Sequence, residues 1–258
     1  MLRAFSTAAT GMTAQQLTVD TIAHNLANIN TVGFKRSMMD FQDLMYVKLV
    51  EPGQETAAGI VSPTGFEIGS GVRPASTLKI FGQGEMENTG RPLDVAIEGD
   101  GFLKVTSPDG QLRYTRDGSL RISAEGNLVN SAGYVLEPAI SIPADTTNIS
   151  IGKDGTVSVV SGTDGTPTVV GTIELVRFAN PSGLSSEGGN LYSETPASGS
   201  AATVDGTATI QQGFLERSNV QMVSELVNLI KAQRAYEINS RAIRAGDEML
   251  QNTNRLIS

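Results

Sequence analysis

Apolar residues recur at helical spacing at both ends of the chain, Leu2 to Ile29 and Ser218 to Ile257, and alternate or cluster in short runs between them. The end patterns are those of a seam facing a partner helix, where apolar side chains return about every three and a half positions. At the N-terminus one row is Phe5, Met12, Val19 and Leu26, beside a companion row of Leu2, Ala9, Gln16 and Ala23 in which only Gln16 is polar. At the C-terminus Ala235, Ile238, Ala242, Ala245, Met249 and Leu256 keep the same spacing, preceded after a phase slip by Val220, Val223, Val227 and Ile230. A second stripe, Met222, Leu226, Leu229, Tyr236, Ile243, Leu250 and Ile257, lies one residue over. Neighbouring helix positions are about 100° apart, so two adjacent stripes make an apolar face too wide for one partner helix.

The simplest arrangement is a hairpin of two helices inside an ordinary core, but the lengths argue against it. At about 1.5 Å per residue the C-terminal pattern makes a rod of roughly 60 Å and the N-terminal one roughly 40 Å, so neither covers the other completely. Apolar helix left over must meet other copies, and a head-to-tail contact that does not close produces a filament. The expected subunit-interface residues are Phe5, Met12, Val19, Leu26, Val223, Val227, Ile230, Ala235, Ile238, Ala242, Met249 and Leu256.

From Val72 to Phe214 the punctuation changes to Asp-Gly pairs at 100, 109, 117, 154, 164 and 205, which supply the positive φ angles of tight hairpins. Between them the strand candidates are 93–97, 102–105, 120–122, 128–129, 134–136, 149–151, 156–160, 168–170 and 172–178. Short strands without intervening helices imply an all-β sandwich or distorted barrel. Residues Met38 to Gly71 fit neither pattern. They are partly apolar (Phe41, Leu44, Met45, Val47, Leu49), then marked by Pro52-Gly53, Gly59, Pro63, Gly65 and Gly69. A connection this long is unusual within a compact domain, and it reads as an extended arm or long hairpin reaching a neighbour, with a flexible linker as the alternative. The predicted class is α+β: terminal helices forming a coiled-coil-like layer (1–35 and 216–258), the arm (36–71) and an all-β central domain (72–215).

Charge and composition narrow the function. The 258 residues carry a net charge of -8, with basic residues dispersed among acidic ones, so nucleic acid is not an expected partner. No apolar run approaches the roughly 20 residues of a membrane span, and the start, Met1-Leu2-Arg3-Ala4-Phe5, lacks the apolar stretch of a cleavable secretory signal. Neither membrane insertion nor signal cleavage is expected. The absence of cysteine suits an exported protein that avoids stray disulfides. With no Cys and the single His24, a zinc, redox or Ser/His/Asp centre has no ligand set, so no catalytic, metal or cofactor-binding residue is assigned. The Asp-Gly turns lack the spaced ligands of a calcium loop. Glu98-Gly99-Asp100-Gly101-Phe102 lacks the Lys and helix of a phosphate loop and reads as a strand-to-strand turn.

Around the helices the chain carries distinctive strings. Asn25-Leu26-Ala27-Asn28-Ile29-Asn30-Thr31-Val32-Gly33-Phe34-Lys35 follows the first, and Gly213-Phe214-Leu215-Glu216-Arg217-Ser218-Asn219-Val220 precedes the last, which itself contains Gln233-Arg234-Ala235-Tyr236-Glu237. Gly33 suits a left-handed helix cap, and Ser218 with Gln221 has the spacing of a capping box. Together with Thr89 to Phe102, these strings resemble the rod and hook axial proteins of the bacterial flagellum, in order and across the whole chain. One departure is Leu103, where the family usually places a second aromatic. Within the family, Ala8 to Met12, Asp40 to Leu44, the Pro-Gly-marked arm and Tyr114 to Gly118 are most like the distal part of the rod. A proximal rod or hook subunit is the alternative, and a cell-wall hydrolase or an adhesin module are readings of a different class.

The resemblance implies a structural subunit, not an enzyme, in which Asn28, Thr31, Gly33, Phe34, Lys35, Ser218, Asn219, Val220, Gln233, Arg234, Ala235, Tyr236 and Glu237 are family-motif residues. It implies export through the flagellar type III apparatus without signal cleavage, and homo-oligomeric growth into a helical polymer enclosing the export channel. Its implied partners are other rod proteins, the hook protein and the P- and L-ring proteins.

Overall fold

The computed structural model describes residues 2–51, 53, 55–57, 60–61, 64–162, 166–204 and 206–257, except the side chains of 2, 55–57, 60–61, 253–254 and 256–257. Pro52, Gly59, Pro63, Asp164 and Asp205, which served as turn markers in the sequence, lie outside the described residues. The chain forms two compact units. One comprises 1–26, 37–78 and 221–258, the other 27–36 and 79–220.

The first unit is built on two helices, α1 (Leu2–Ala27) and α2 (Met222–Ile257). α1 holds several Ser and Thr residues, which ordinarily compete with helix, yet their hydroxyls donate back to carbonyls three or four residues earlier. Thr10 bonds Thr7, Thr13 bonds Ala9, Thr18 bonds Ala14 and Thr21 bonds Leu17. The helices run antiparallel, because Gly246 of α2 faces the Phe5 ring while Gly11 of α1 faces the Asn239 side chain. A Cβ at Gly246 would lie 2.8 Å from that ring and one at Gly11 2.9 Å from Asn239 Nδ2, so any larger residue at either position would displace the facing side chain. The same unit contains a nested antiparallel hairpin. Ser37–Asp43 pairs with Val72–Lys79, Val47–Val50 with Phe66–Ile68, and Glu55–Ala57 with Ile60–Val61. Its base is held by Asn25, whose amide donates to Ser37 O (2.8 Å) and accepts from Ser37 N (2.9 Å), and by Thr10, whose hydroxyl accepts from Val72 N–H at 3.3 Å.

The second unit is all β. Its largest sheet runs, in spatial order, Arg121–Ile122, Leu128–Val129, Val135–Leu136, Phe102–Thr106, Leu112–Thr115, Leu191–Ser193 and Ser185–Gly188, with Leu175–Arg177 joining Phe102–Thr106 to Ala202–Thr203. A three-stranded sheet orders Thr146–Ile151, Thr156–Ser161 and Pro167–Thr172. The core beneath them is aliphatic, with Leu103, Val105, Leu120, Leu128, Val157 and Ile173 among its buried members. Leu103, the departure noted in the sequence, is fully buried there. A separate cluster of Phe102, Tyr114, Phe178 and Tyr192 packs edge to face, with centroids 4.8 Å apart for Tyr114 and Phe178 and 5.7 Å for Phe102 and Phe178.

Two local expectations are corrected. Ser218 and Gln221 form no capping box, because α2 begins at Met222 and the Ser218 hydroxyl accepts from Val220 N–H instead. The reason is Asn219, whose side chain is committed to three backbone groups described below and holds this stretch out of the helix. Gly33 does have positive φ (68°), but it stands six positions beyond the end of α1 and is not its cap. Its N–H donates to Glu216 O at 2.8 Å, and a Cβ there would lie 2.8 Å from the Arg116 backbone carbon.

Candidate functional site

Two features carry the residues singled out in the sequence: a helix face in the first unit and a buried polar anchor in the second. On α2 the buried positions Glu225, Ala232 and Gly246 fall on one side of the helix, together with half-buried Leu229, Asn239 and Ile243. At 100° per residue the opposite side carries Val223, Val227, Ile230 and Ile238. These four are 74%, 45%, 49% and 64% exposed, and Met249, nearer the edge of that side, is 55% exposed. Ala242 is also exposed, Ala235 is half-buried, and the Leu256 side chain lies outside the described residues. On α1 the row Phe5, Met12, Val19 and Leu26 is half-buried within the chain. Gln233, Arg234, Tyr236 and Glu237 are exposed, and Glu237 stands 3.9 Å from Arg241. So exposed an ion pair adds at most a few tenths of a kcal/mol.

The anchor is assembled from segments far apart in the chain. Lys35 Nζ lies 2.6 Å from Glu216 Oε1, with both side chains buried, and donates also to Gly82 O at 2.8 Å. The same Glu216 oxygen accepts from Gly84 N–H at 2.8 Å. Its other oxygen lies 3.4 Å from Arg116 Nε, an ion-pair distance without hydrogen-bond alignment. Arg116 is otherwise satisfied by Phe81 O (3.3 Å) and Gly99 O, and its guanidinium lies over the Phe102 ring at 5.8 Å. Asn219 completes the frame: it accepts from Arg36 N–H (2.8 Å) and donates to Ile80 O (2.8 Å) and Gly82 O (3.0 Å). Gly33 and Phe34 are buried beside Lys35, Val220 is buried, and Thr31 donates to the Asn28 side chain at 3.1 Å. Lys79 extends the polar frame toward the aromatics, 5.5 Å from the Phe34 ring and 5.7 Å from that of Tyr192.

Burial, then the adjacent Arg116 guanidinium, lower the Lys35 ammonium to about 8, against the opposing pull of Glu216. It is therefore charged at neutral pH, as its contact with the carboxylate requires. Burial also lowers Lys79 and pushes Tyr192 up to about 12. Sequence reasoning picked out Lys35 and Asn219 but not Glu216 or Arg116, although both sat inside the quoted strings. The only local signal was position: Glu216 ends the strand Phe214–Glu216, and Arg116 directly follows the strand Leu112–Thr115.

His24 is exposed on α1, and the Gly99 to Gly101 stretch joins the strands Val95–Glu98 and Phe102–Thr106. Among the described residues no group of three His, Cys, Asp or Glu is placed to hold a metal ion, and no helix is long and apolar enough to cross a membrane.

Comparison with known proteins places the chain in a family. The model for the flagella basal body rod protein matches residues 5–35, that for the flagellar hook protein FlgE/F/G D1 domain residues 96–159, and that for the flagellar basal body rod FlgEFG protein C-terminal residues 211–256. The chain belongs to this family of flagellar rod and hook proteins, a structural class. Within it, the chain is 47% identical to the flagellar basal-body rod protein FlgG of Borreliella burgdorferi over 99% of both chains. It is 46% identical to that of Buchnera aphidicola subsp. Acyrthosiphon pisum over 96% of both, and 43% to that of Caulobacter vibrioides over the whole of both. Its place is the flagellar basal body, as a structural subunit of the distal rod.

Two outcomes follow for the anchor. Glu216→Gln leaves Lys35 and Arg116 as buried like charges, and losing one partner of a buried pair costs about 3–5 kcal/mol. Urea unfolding monitored in the β unit should show a loss of that size. The Lys35 ε-methylene signals should titrate by NMR near pH 8. Because Lys35 holds its proton to about pH 10.5 in the unfolded chain and only to about 8 in the folded one, its contribution makes stability rise with pH between those values. Wild type minus Lys35→Met stability, measured across that window, should rise accordingly.

Proposed function

We propose that copies of this chain polymerise into a rigid helical tube that transmits torque and encloses the export channel. The exposed apolar stripe of α2 carries this reading. Five large apolar side chains turned from the only helix that pairs with α2 among the described residues can be buried only by another molecule. Each such side chain, when fully buried, contributes about 1.5–3 kcal/mol. The helical segments 1–35 and 216–258 form the inner, coiled-coil-like layer in this arrangement, and the β domain, 72–215, the outer one.

The arm, 36–71, is the element that stiffens the tube by lying against neighbouring copies. Its hairpin exposes Met45, Tyr46, Leu49 and Phe66, at 87%, 53%, 54% and 58%, which supports a role in contact rather than as a spacer in water. Other rod proteins and the hook protein meet the ends of the tube, and the P- and L-ring proteins surround it. Subunits reach the growing tip through the type III export apparatus without loss of a signal segment.

Ile238→Asp places a carboxylate in the stripe without disturbing the unit's own packing. Burying it unpaired costs several kcal/mol, so sedimentation should show the concentration needed for polymerisation rising about 100-fold or more, while the circular dichroism and melting of the free chain stay unchanged. Normal polymers from this variant would remove the helix-seam reading. Deleting Pro52 to Gly69 should leave polymerisation intact and soften the product. Tubes that stay straight by electron microscopy would contradict the role given to the arm.

A further inference from the structure

A contact that propagates without closing requires two different complementary surfaces on every copy. The α2 stripe is one, and it projects. The second must be a recess, and the same unit has one beside the paired helices: a groove of about 540 Å³ lined by Gln16 and Val19 of α1 and Gln233, Tyr236 and Glu237 of α2. We infer that this groove is the socket for the Val227, Ile230 and Arg234 stretch of α2 from a second copy. This rests on the tube reading above and names the residues that would join one copy to the next.

Four observations converge on that occupant. The stripe cannot fill the groove of its own chain, because Ile230 and Arg234 lie on the side of α2 turned away from α1, whereas the groove opens beside the α1–α2 pair. The volume suits a few side chains rather than a whole helix, as when one knob seats in a hole of four residues. The groove offers apolar surface from half-buried Val19 and the Tyr236 ring, and Val227 and Ile230 bring exposed apolar side chains to cover it. Charge is matched as well: Arg234 follows Ile230 by one turn, and Glu237 stands at the groove. The contact of Glu237 with Arg241 in its own chain is long and solvent-exposed, so it yields readily to a partner's guanidinium.

The absence of native cysteine makes the test direct. One preparation carries Val19→Cys and another Ile230→Cys, and the two are mixed, polymerised and oxidised. A disulfide between residues 19 and 230 can then form only between copies. A covalent dimer that appears in the mixed polymer, and neither in single-variant polymers nor in unpolymerised mixtures, is the expected result. Polymers without that dimer overturn the socket while leaving the tube reading standing; failure of the unsubstituted chain to polymerise removes both. A charge exchange covers cysteine variants that do not assemble. Glu237→Arg should raise the polymerisation threshold about tenfold, and adding Arg234→Glu to the same chain should restore it. No restoration contradicts the pairing.

Discussion

A helix with apolar residues on opposite sides cannot bury both against a single partner, and α2 is such a helix. Its inner side sets Leu229 and Ile243 among Ala232, Asn239 and Gly246, so one apolar stripe is used against α1. Its outer side holds Val223, Val227, Ile230 and Ile238, all of them exposed. A helix hairpin complete in itself has a polar outer side instead. The inner stripe holds the two helices together, and the outer one keeps a hydrophobic driving force for contact with other molecules.

The β unit answers a different demand. It has an aliphatic core of its own and a second, aromatic cluster, and at the ends of the segments that enter and leave it sits the frame of Lys35, Glu216, Arg116 and Asn219. A buried ion pair is no efficient source of stability, because desolvation offsets much of its Coulomb attraction. Its value lies in geometry. Glu216 can accept from Lys35 and Gly84 only when the two crossing segments are in one register, and Asn219 ties the same two segments through backbone groups of Arg36, Ile80 and Gly82. Apolar contacts tolerate small slips; charged and bidentate contacts in a dry interior do not. Such a frame fixes the register of the segments at 33–36, 80–84 and 216–219 within the β unit.

Much of the fold was legible because its signals are local. Both helices announced themselves by spacing, and Asp109-Gly110 and Asp154-Gly155 marked hairpin turns that require positive φ, found at 74° and 86°. Strands whose residues do not alternate escaped notice. Ser185–Gly188 is wholly exposed and polar at a sheet edge, and Leu112–Thr115, of which only Tyr114 and Thr115 fell in a motif string, buries those two consecutive residues and does not alternate. The capping pattern at Ser218 misled because a tertiary contact, that of Asn219, outweighed a local preference worth about 1 kcal/mol. The anchor was illegible for a deeper reason: Lys35 and Glu216 lie 181 positions apart, and no periodicity links residues at that distance. The direction of the α2 stripe was similarly out of reach. Spacing shows that a helix has two apolar faces, and only the structure shows which one α1 covers.

The central claim is that other copies cover the outer face of α2. Hydroxyl-radical footprinting of the free chain and of its polymer, read residue by residue by mass spectrometry, measures this directly. The account predicts that Val223, Val227, Ile230 and Ile238 react readily in the free chain and are strongly protected in the polymer, while exposed side chains of the β unit such as Leu112 and Val169 change little. Equal reactivity of the four α2 residues in both states would contradict it.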